Sequence, residues 1–221
     1  MPIVLGYWSI RGLAQPIRLL LNYVGEEFED RKYECGPAPD FNREAWTSVK
    51  HTLGLPYPNL PYLIDGDRKV VQSNAILRYI GRKHNLCGTT EEERIRADIM
   101  ENQSMDFRNG FVRLCYGKFD EAVKEAYLSA LPGTLKQFEE FLGDNQWFAG
   151  ANLTFADFPM YELLDQHRLF APGCLDAYPK LTAFMKRFEA QEPVAKCISS
   201  EEFKKLPVNN KMARWGGTAS A

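Results

Sequence analysis

A chain of 221 residues, 45% hydrophobic and 25% charged, has the material for a full core in one large domain or two small ones, and disorder is excluded. Its 27 basic and 29 acidic side chains give a net charge of -2 with no long basic run, which argues against nucleic acid as a partner. No apolar stretch is long enough for a bilayer span, so no membrane is expected, and five scattered cysteines with three distant histidines make no metal constellation. The cysteines read as free thiols in a reducing compartment, the cytoplasm.

Residues 1–84 alternate strands and helices. Ile3–Trp8 reads as a strand rather than a leader peptide. Leu13–Val24 follows as a helix, with Leu13, Ile17, Leu20, Leu21 and Val24 on one stripe, Pro16 in its first turn and Gly25 as its stop. Glu27–Tyr33 is a second strand. After the turn formers Gly36-Pro37-Ala38-Pro39-Asp40, a short helix is expected from Arg43 to His51. Leu63–Asp65 and Lys69–Gln72 flank Gly66 as a hairpin, and Ser73–Lys83 closes the unit as a helix. The order βαβ-αββα is that of the thioredoxin fold.

Residues 85–90 read as a linker, and 91–221 as an all-helical domain. Glu91–Tyr116 is a long helix with three glutamates at its positive end, and Gly110 inside it costs about 1 kcal/mol relative to alanine. Glu121–Leu142, Thr154–Phe170, Tyr178–Ala190 and Val194–Ser199 are further helices. Thr154 and Asp157 have capping-box spacing, with Leu153 and Phe158 at the staple positions, and Pro159 is expected to cost a hydrogen bond one turn in. The tail from Glu201 to Ala221 is weakly periodic and is expected to lie across the surface.

Three features of the first half describe a place for an extended peptide beside a phenol. Tyr7 ends the first strand, where α/β folds present ligands. Leu60-Pro61 is a candidate cis bond that would turn the N–H and C=O of Leu60 outward for an added strand. Ser73, at a helix start with unpaired N–H groups behind it, suits a carboxylate. Singly, these are a core tyrosine, a trans proline and an ordinary cap; their order within one short domain favours the binding reading.

The runs Leu5-Gly6-Tyr7-Trp8-Ser9-Ile10-Arg11-Gly12, Pro16-Ile17-Arg18-Leu19-Leu20-Leu21, Pro58–Gly66, Gln72-Ser73-Asn74-Ala75-Ile76 and Trp147-Phe148-Ala149-Gly150 resemble the mu class of cytosolic glutathione transferases. The likeness covers nearly the whole chain. It implies a homodimer that joins the thiolate of glutathione to small hydrophobic electrophiles, with glutathione as co-substrate and no cofactor or metal. On that resemblance Tyr7 donates a hydrogen bond to the sulfur, with Ser9 the weaker alternative. Trp8, Asn59, Leu60 and Pro61 hold the middle of the peptide, and Gln72 and Ser73 its γ-glutamyl end. Arg43, Trp46 and Lys50, at i, i+3 and i+7, suit the glycyl carboxylate; the alternative is a surface helix whose Trp46 docks on the sheet.

Asp106 matches a position that reaches the neighbouring subunit's glutathione. Trp8, Ile10, Leu13, Val112 and Tyr116 match the electrophile pocket, with Asn109, Asn209 and Asn210 making its mouth more polar than is usual. Tyr57 matches an aromatic key at the dimer contact and Arg78 a position near the two-fold axis. Two rivals remain. A thiol–disulfide oxidoreductase needs a cysteine where Ser9-Ile10-Arg11-Gly12 stands, and is excluded. A non-catalytic binding or structural protein of the same superfamily is left open.

Overall fold

The computed structural model describes residues 2–218, so positions 219–221 of the expected tail lie outside the described residues. The first half folds as β1 (Ile3–Trp8), α1 (Gln15–Tyr23), β2 (Phe28–Tyr33), α2 (Glu44–Thr47), β3 (Tyr62–Asp65), β4 (Arg68–Val71) and α3 (Ser73–Lys83). The four strands form one sheet in the order β2-β1-β3-β4, with β1 and β2 parallel and the other neighbours antiparallel. This is the thioredoxin-like order expected. Alternation dictates the core: Ile3, Leu5 and Tyr7 of β1 are buried with Leu63 and the wholly buried Tyr62. The ring of Tyr62 takes up the space a side chain on Gly6 would need, a Cβ there falling 2.2 Å from its Cε1.

The second half is helical: α4 (Glu91–Tyr116), α5 (Glu121–Leu142), α6 (Asp157–Phe170), α7 (Pro179–Glu189), α8 (Glu192–Ser199) and α9 (Glu201–Lys205). Buried along nearly its whole length, α6 packs on both α1 and α4 and so joins the two halves. One hydrophobic core runs through the sheet, α1, α3 and the helices.

Four expectations change. Helix α1 begins at Gln15 rather than Leu13, because residues 9–14 make a turn in which Gly12 takes φ +43. Helix α2 is four residues long and passes into turns, although the N–H of Lys50 still bonds to the Trp46 carbonyl at 3.0 Å. Helix α6 starts at Asp157, since Thr154 to Ala156 form a turn. Only half of the proposed box forms: the Asp157 carboxylate accepts from the Thr154 N–H (2.7 Å) and hydroxyl (3.1 Å), and also from the Phe148 N–H (2.9 Å). Pro159 therefore lies in the first turn, where its missing N–H breaks no helical bond. Finally, Glu201–Lys205 is a short helix that weak periodicity concealed. A complete capping box stands instead at Thr90 and Glu93, at the head of α4.

Candidate active site

Strand pairing brings three separate segments to one end of the sheet. Gly6 pairs with Tyr62, and Tyr62 with Val71. The residues just beyond these pairs are Tyr7 on β1, Leu60 and Pro61 before β3, and Gln72 and Ser73 after β4. The Leu60–Pro61 bond is cis, as expected; Ala38–Pro39 is also cis.

Tyr7 is buried, and its hydroxyl oxygen accepts the N–H of Leu13 at 3.1 Å. That bond uses an oxygen lone pair and leaves the phenolic proton free for another acceptor. Beside it lies a cavity of about 800 Å³, walled by Tyr7, Trp8, Ile10 and Gly12 from the sheet side and by Arg108, Val112 and Tyr116 from α4. Cys35 and Asp40 to Arg43 close one flank, and Asn209, Asn210 and Met212 of the tail close the other. A second cleft of about 830 Å³ opens between α1, β2 and the α8–α9 region. It contains neither phenol; its buried Arg18 bonds to Asp30 at 3.0 Å and to the Ile10 carbonyl at 2.8 Å, with its Nη2 unpartnered. The first cavity, which holds both phenols, is the candidate active site.

Tyr116 repeats the arrangement of Tyr7 on the opposite wall. Its oxygen accepts the N–H of Asn210 at 2.7 Å, and although the residue as a whole is 38% exposed, desolvation of its hydroxyl pushes the pKa up to about 12 and keeps it neutral. Arg108 was missed by the sequence reading. It is half-buried, and desolvation lowers its guanidinium pKa, with Tyr7, Tyr116 and Glu162 the charged or chargeable groups around it. Its signal was available: 108, 112 and 116 are spaced four apart on α4 and share a face. Asn109, expected at the mouth of the electrophile pocket, is turned about 100° away, is exposed, and does not line the cavity.

Other expected residues are redistributed. Leu13 lines a small void with Gly12, Ser73, Ser104 and Arg108, apart from the main cavity. Trp46 docks on the sheet, stacked on Tyr62 at 5.8 Å and edge-on to Tyr33 at 5.3 Å, and does not line the cavity. Arg43 does line it, while Lys50 is half-buried in the turn after α2. The N–H of Leu60 is not free for an added strand: it donates to the Oδ1 of Asn59 at 2.9 Å. Ser73 is buried in the first turn of α3, where Gln72, exposed and at φ 75, is the cap residue. Ser9 is held through its N–H to the Tyr33 carbonyl and does not line the cavity.

Asn209 lines the cavity, but its amide donates away, to the Trp215 carbonyl at 3.0 Å, so the mouth gains less polarity than its composition suggests. Asp106 is exposed, outside the chain's own cavity, on a groove of about 280 Å³ between α4 and α5. Tyr57 is 87% exposed, at φ 46 between two prolines. Arg78 is not a loose surface residue: it bonds to Asp98 at 2.6 Å and to Glu101, tying α3 to α4.

A thioredoxin-like sheet, a helical partner domain and a phenol at the mouth of the cavity between them together define a glutathione transferase architecture. Family models described as the N-terminal and C-terminal domains of glutathione S-transferase match residues 3–82 and 105–201. Over 214 residues, the chain is 59% identical to "Glutathione S-transferase Mu 3" of Homo sapiens, covering 97% of this chain and 95% of that protein. It is likewise 59% identical over 214 residues to "Glutathione S-transferase Mu 5" of Mus musculus, covering 97% and 96%. Among solved structures, the crystal structure of the glutathione S-transferase Blo t 8 superposes with a TM-score of 0.89 at 35% identity, covering 96% of this chain and 99% of that one. The pi-class enzyme of Onchocerca volvulus gives 0.85 at 34% identity, covering 97% and 100%. The chain belongs to the glutathione S-transferase family, and within it to the mu class.

Proposed function

We infer that this chain joins the thiolate of reduced glutathione to hydrophobic electrophiles, with Tyr7 as the donor that stabilises the sulfur. The observation that carries this reading is the bond from the Leu13 N–H to the Tyr7 oxygen, which leaves the phenolic proton to be given to a ligand. A free thiol has a pKa of about 8.5 and is mostly protonated at neutral pH. A hydrogen bond given to the anion favours it, and each unit of pKa is worth about 1.36 kcal/mol. The thiol proton leaves to solvent. The sulfur lone pair then forms a bond to the electrophilic carbon, and a halide departs or an epoxide oxygen takes up the negative charge.

Around that sulfur, Asn59, Leu60, Pro61, Gln72 and Ser73 hold the peptide, with Arg43 and Lys50 toward its glycyl end. For Leu60 to pair with the peptide, the Asn59 side chain first gives up the Leu60 N–H. Ile10, Val112 and Tyr116 face the electrophile, and Arg108 adds positive charge where a nitro group or oxyanion develops. Glutathione is a co-substrate and no resident cofactor takes part.

The working form is a homodimer. Supporting this are the exposed ring of Tyr57, the apolar pair Ile95 and Ile99 on α4, and Asp106 on a groove remote from its own cavity. Placement in the cytoplasm rests on five free thiols and on the lack, among described residues, of any helix long and apolar enough to cross a membrane.

The test is conjugation of an activated aryl halide by wild type and by Tyr7→Phe. A loss of about a hundredfold in kcat is expected, with glutathione KM changed less than about threefold, since the hydroxyl acts on sulfur and the other contacts hold the peptide. Equal rates remove Tyr7 from the mechanism.

A further inference from the structure

Gly12 stands in the turn between β1 and α1 with its backbone in the left-handed region, at φ +43. That conformation favours glycine by itself. The surroundings ask for more. A Cβ at this position would lie 2.7 Å from the Tyr7 hydroxyl oxygen, 2.8 Å from the Cε1 of the same ring and 3.1 Å from the Cδ1 of Ile10. Non-bonded heavy atoms do not rest so close, so one neighbour has to give way.

The neighbours are not equally free to move. The turn is fixed from both sides: the N–H of Arg11 donates to the Pro207 carbonyl at 2.8 Å and that of Gly12 to the Val208 carbonyl at 3.1 Å. The buried guanidinium of Arg11 is paired with Glu162 at 2.9 Å and with Asp165, both on α6. The Tyr7 ring has instead an open cavity of about 800 Å³ against it. A side chain at position 12 would therefore displace the phenol, and the bond from the Leu13 N–H would be lost with it.

We propose that Gly12 is a positioning residue for thiolate formation: its bare α-carbon is what lets the Tyr7 hydroxyl rest on the Leu13 N–H with its proton turned toward the sulfur. This rests on the assignment of Tyr7 as the thiolate donor. Gly12 touches neither reacting atom in this account; it acts through Tyr7 alone.

Three variants test it: Gly12→Ala, Tyr7→Phe and the two combined, each compared with wild type. For Gly12→Ala, kcat/KM with an aryl halide is expected to fall between about tenfold and a hundredfold. The thiol pKa of bound glutathione, read from the ultraviolet absorbance of the thiolate, rises toward that of the free tripeptide, while calorimetric glutathione affinity changes less than about threefold. The double variant is no slower than Tyr7→Phe alone, because both changes remove one interaction.

The outcomes separate the two assignments. Full activity in Tyr7→Phe sinks the role of the phenol, whatever happens at Gly12. A slow Tyr7→Phe beside a Gly12→Ala that keeps its rate and its low thiol pKa overturns the proposal alone, as do losses that multiply in the double variant. If Gly12→Ala does not fold, Gly12→Ala placed in a Tyr7→Ala background and judged against Tyr7→Ala alone decides, since it lacks the whole ring that the added methyl would meet. In that background a folded protein supports displacement of the phenol, and an unfolded one means that the glycine serves the turn.

Discussion

The two sides of the candidate active site are built by different means. On the sheet side, the main chain does the placing: hydrogen-bonded register sets Gly6 against Tyr62 and Tyr62 against Val71, and the residues beyond them converge whatever their side chains. On the helical side, one stripe of α4 meets a tail segment that arrives from nearly a hundred residues later, joined by the bond from the Asn210 N–H to Tyr116. Backbone register suits a partner that never changes, such as the tripeptide proposed above. A wall made of side chains suits the variable partner, because one substitution reshapes it without disturbing the sheet.

The strongest challenge to this division is to weaken the helical side and ask whether the sheet side survives. Asp157→Ala strands two buried backbone donors, those of Phe148 and Thr154, at about 1–3 kcal/mol each. A loss of about 4 kcal/mol is expected in denaturant unfolding, still as a single transition, because α6 also carries the carboxylates that hold Arg11 in the Tyr7 turn. Two separate transitions would mean that the walls fold independently.

A somewhat smaller effect is expected at His167, stacked on Phe107 at 4.1 Å within the helical half. Its Nδ1–H donates to the Leu163 carbonyl at 2.7 Å, so Nε2 accepts the hydroxyl of Tyr127 at 2.6 Å. Burial lowers its pKa from 6.5 to about 4. The unfolded chain therefore binds a proton that the native state refuses between those values. Stability is expected to fall as pH drops through that window, by about 3 kcal/mol in all. Urea midpoints at pH 7 and 4.5, for wild type and His167→Gln, check this; an equal pH dependence in both proteins would clear the imidazole of any part in it.

The smallest effect sharpens the comparison most. Arg108→Leu is expected to lower kcat/KM about tenfold for nitro-substituted aryl halides, with glutathione affinity and the thiol pKa unchanged. If glutathione binding weakens instead, Arg108 belongs to the sheet-side task.

Local pattern carried most of the fold and less of the site. The strands, the cis Leu60–Pro61 bond and the bounds of α3, α4 and α5 were legible, because alternation, helical stripes and punctuating prolines and glycines act over a few residues. The starts of α1 and α6 were not, since each is preceded by a turn held by bonds that leave no periodic trace: to Pro207 and Val208 of the tail for the first, and to Phe148 and Thr154 of the preceding loop for the second. Trp46 shows the same limit. Its spacing with Arg43 and Lys50 predicts one helical face, but α2 spans only Glu44–Thr47, with Arg43 at its cap and Lys50 in the turns beyond, and the fold turns the indole onto Tyr62.

What the sequence determined by itself was the two-part architecture, the family and the phenol at the end of the first strand, because these depend on short-range geometry and on which residue types occur where. Tertiary structure alone decided which backbone N–H each phenol oxygen accepts, and that Gly12 lies against Tyr7. Those facts depend on ångström-scale approaches, some within one turn and one across the chain from Tyr116 to Asn210, and no periodicity records them.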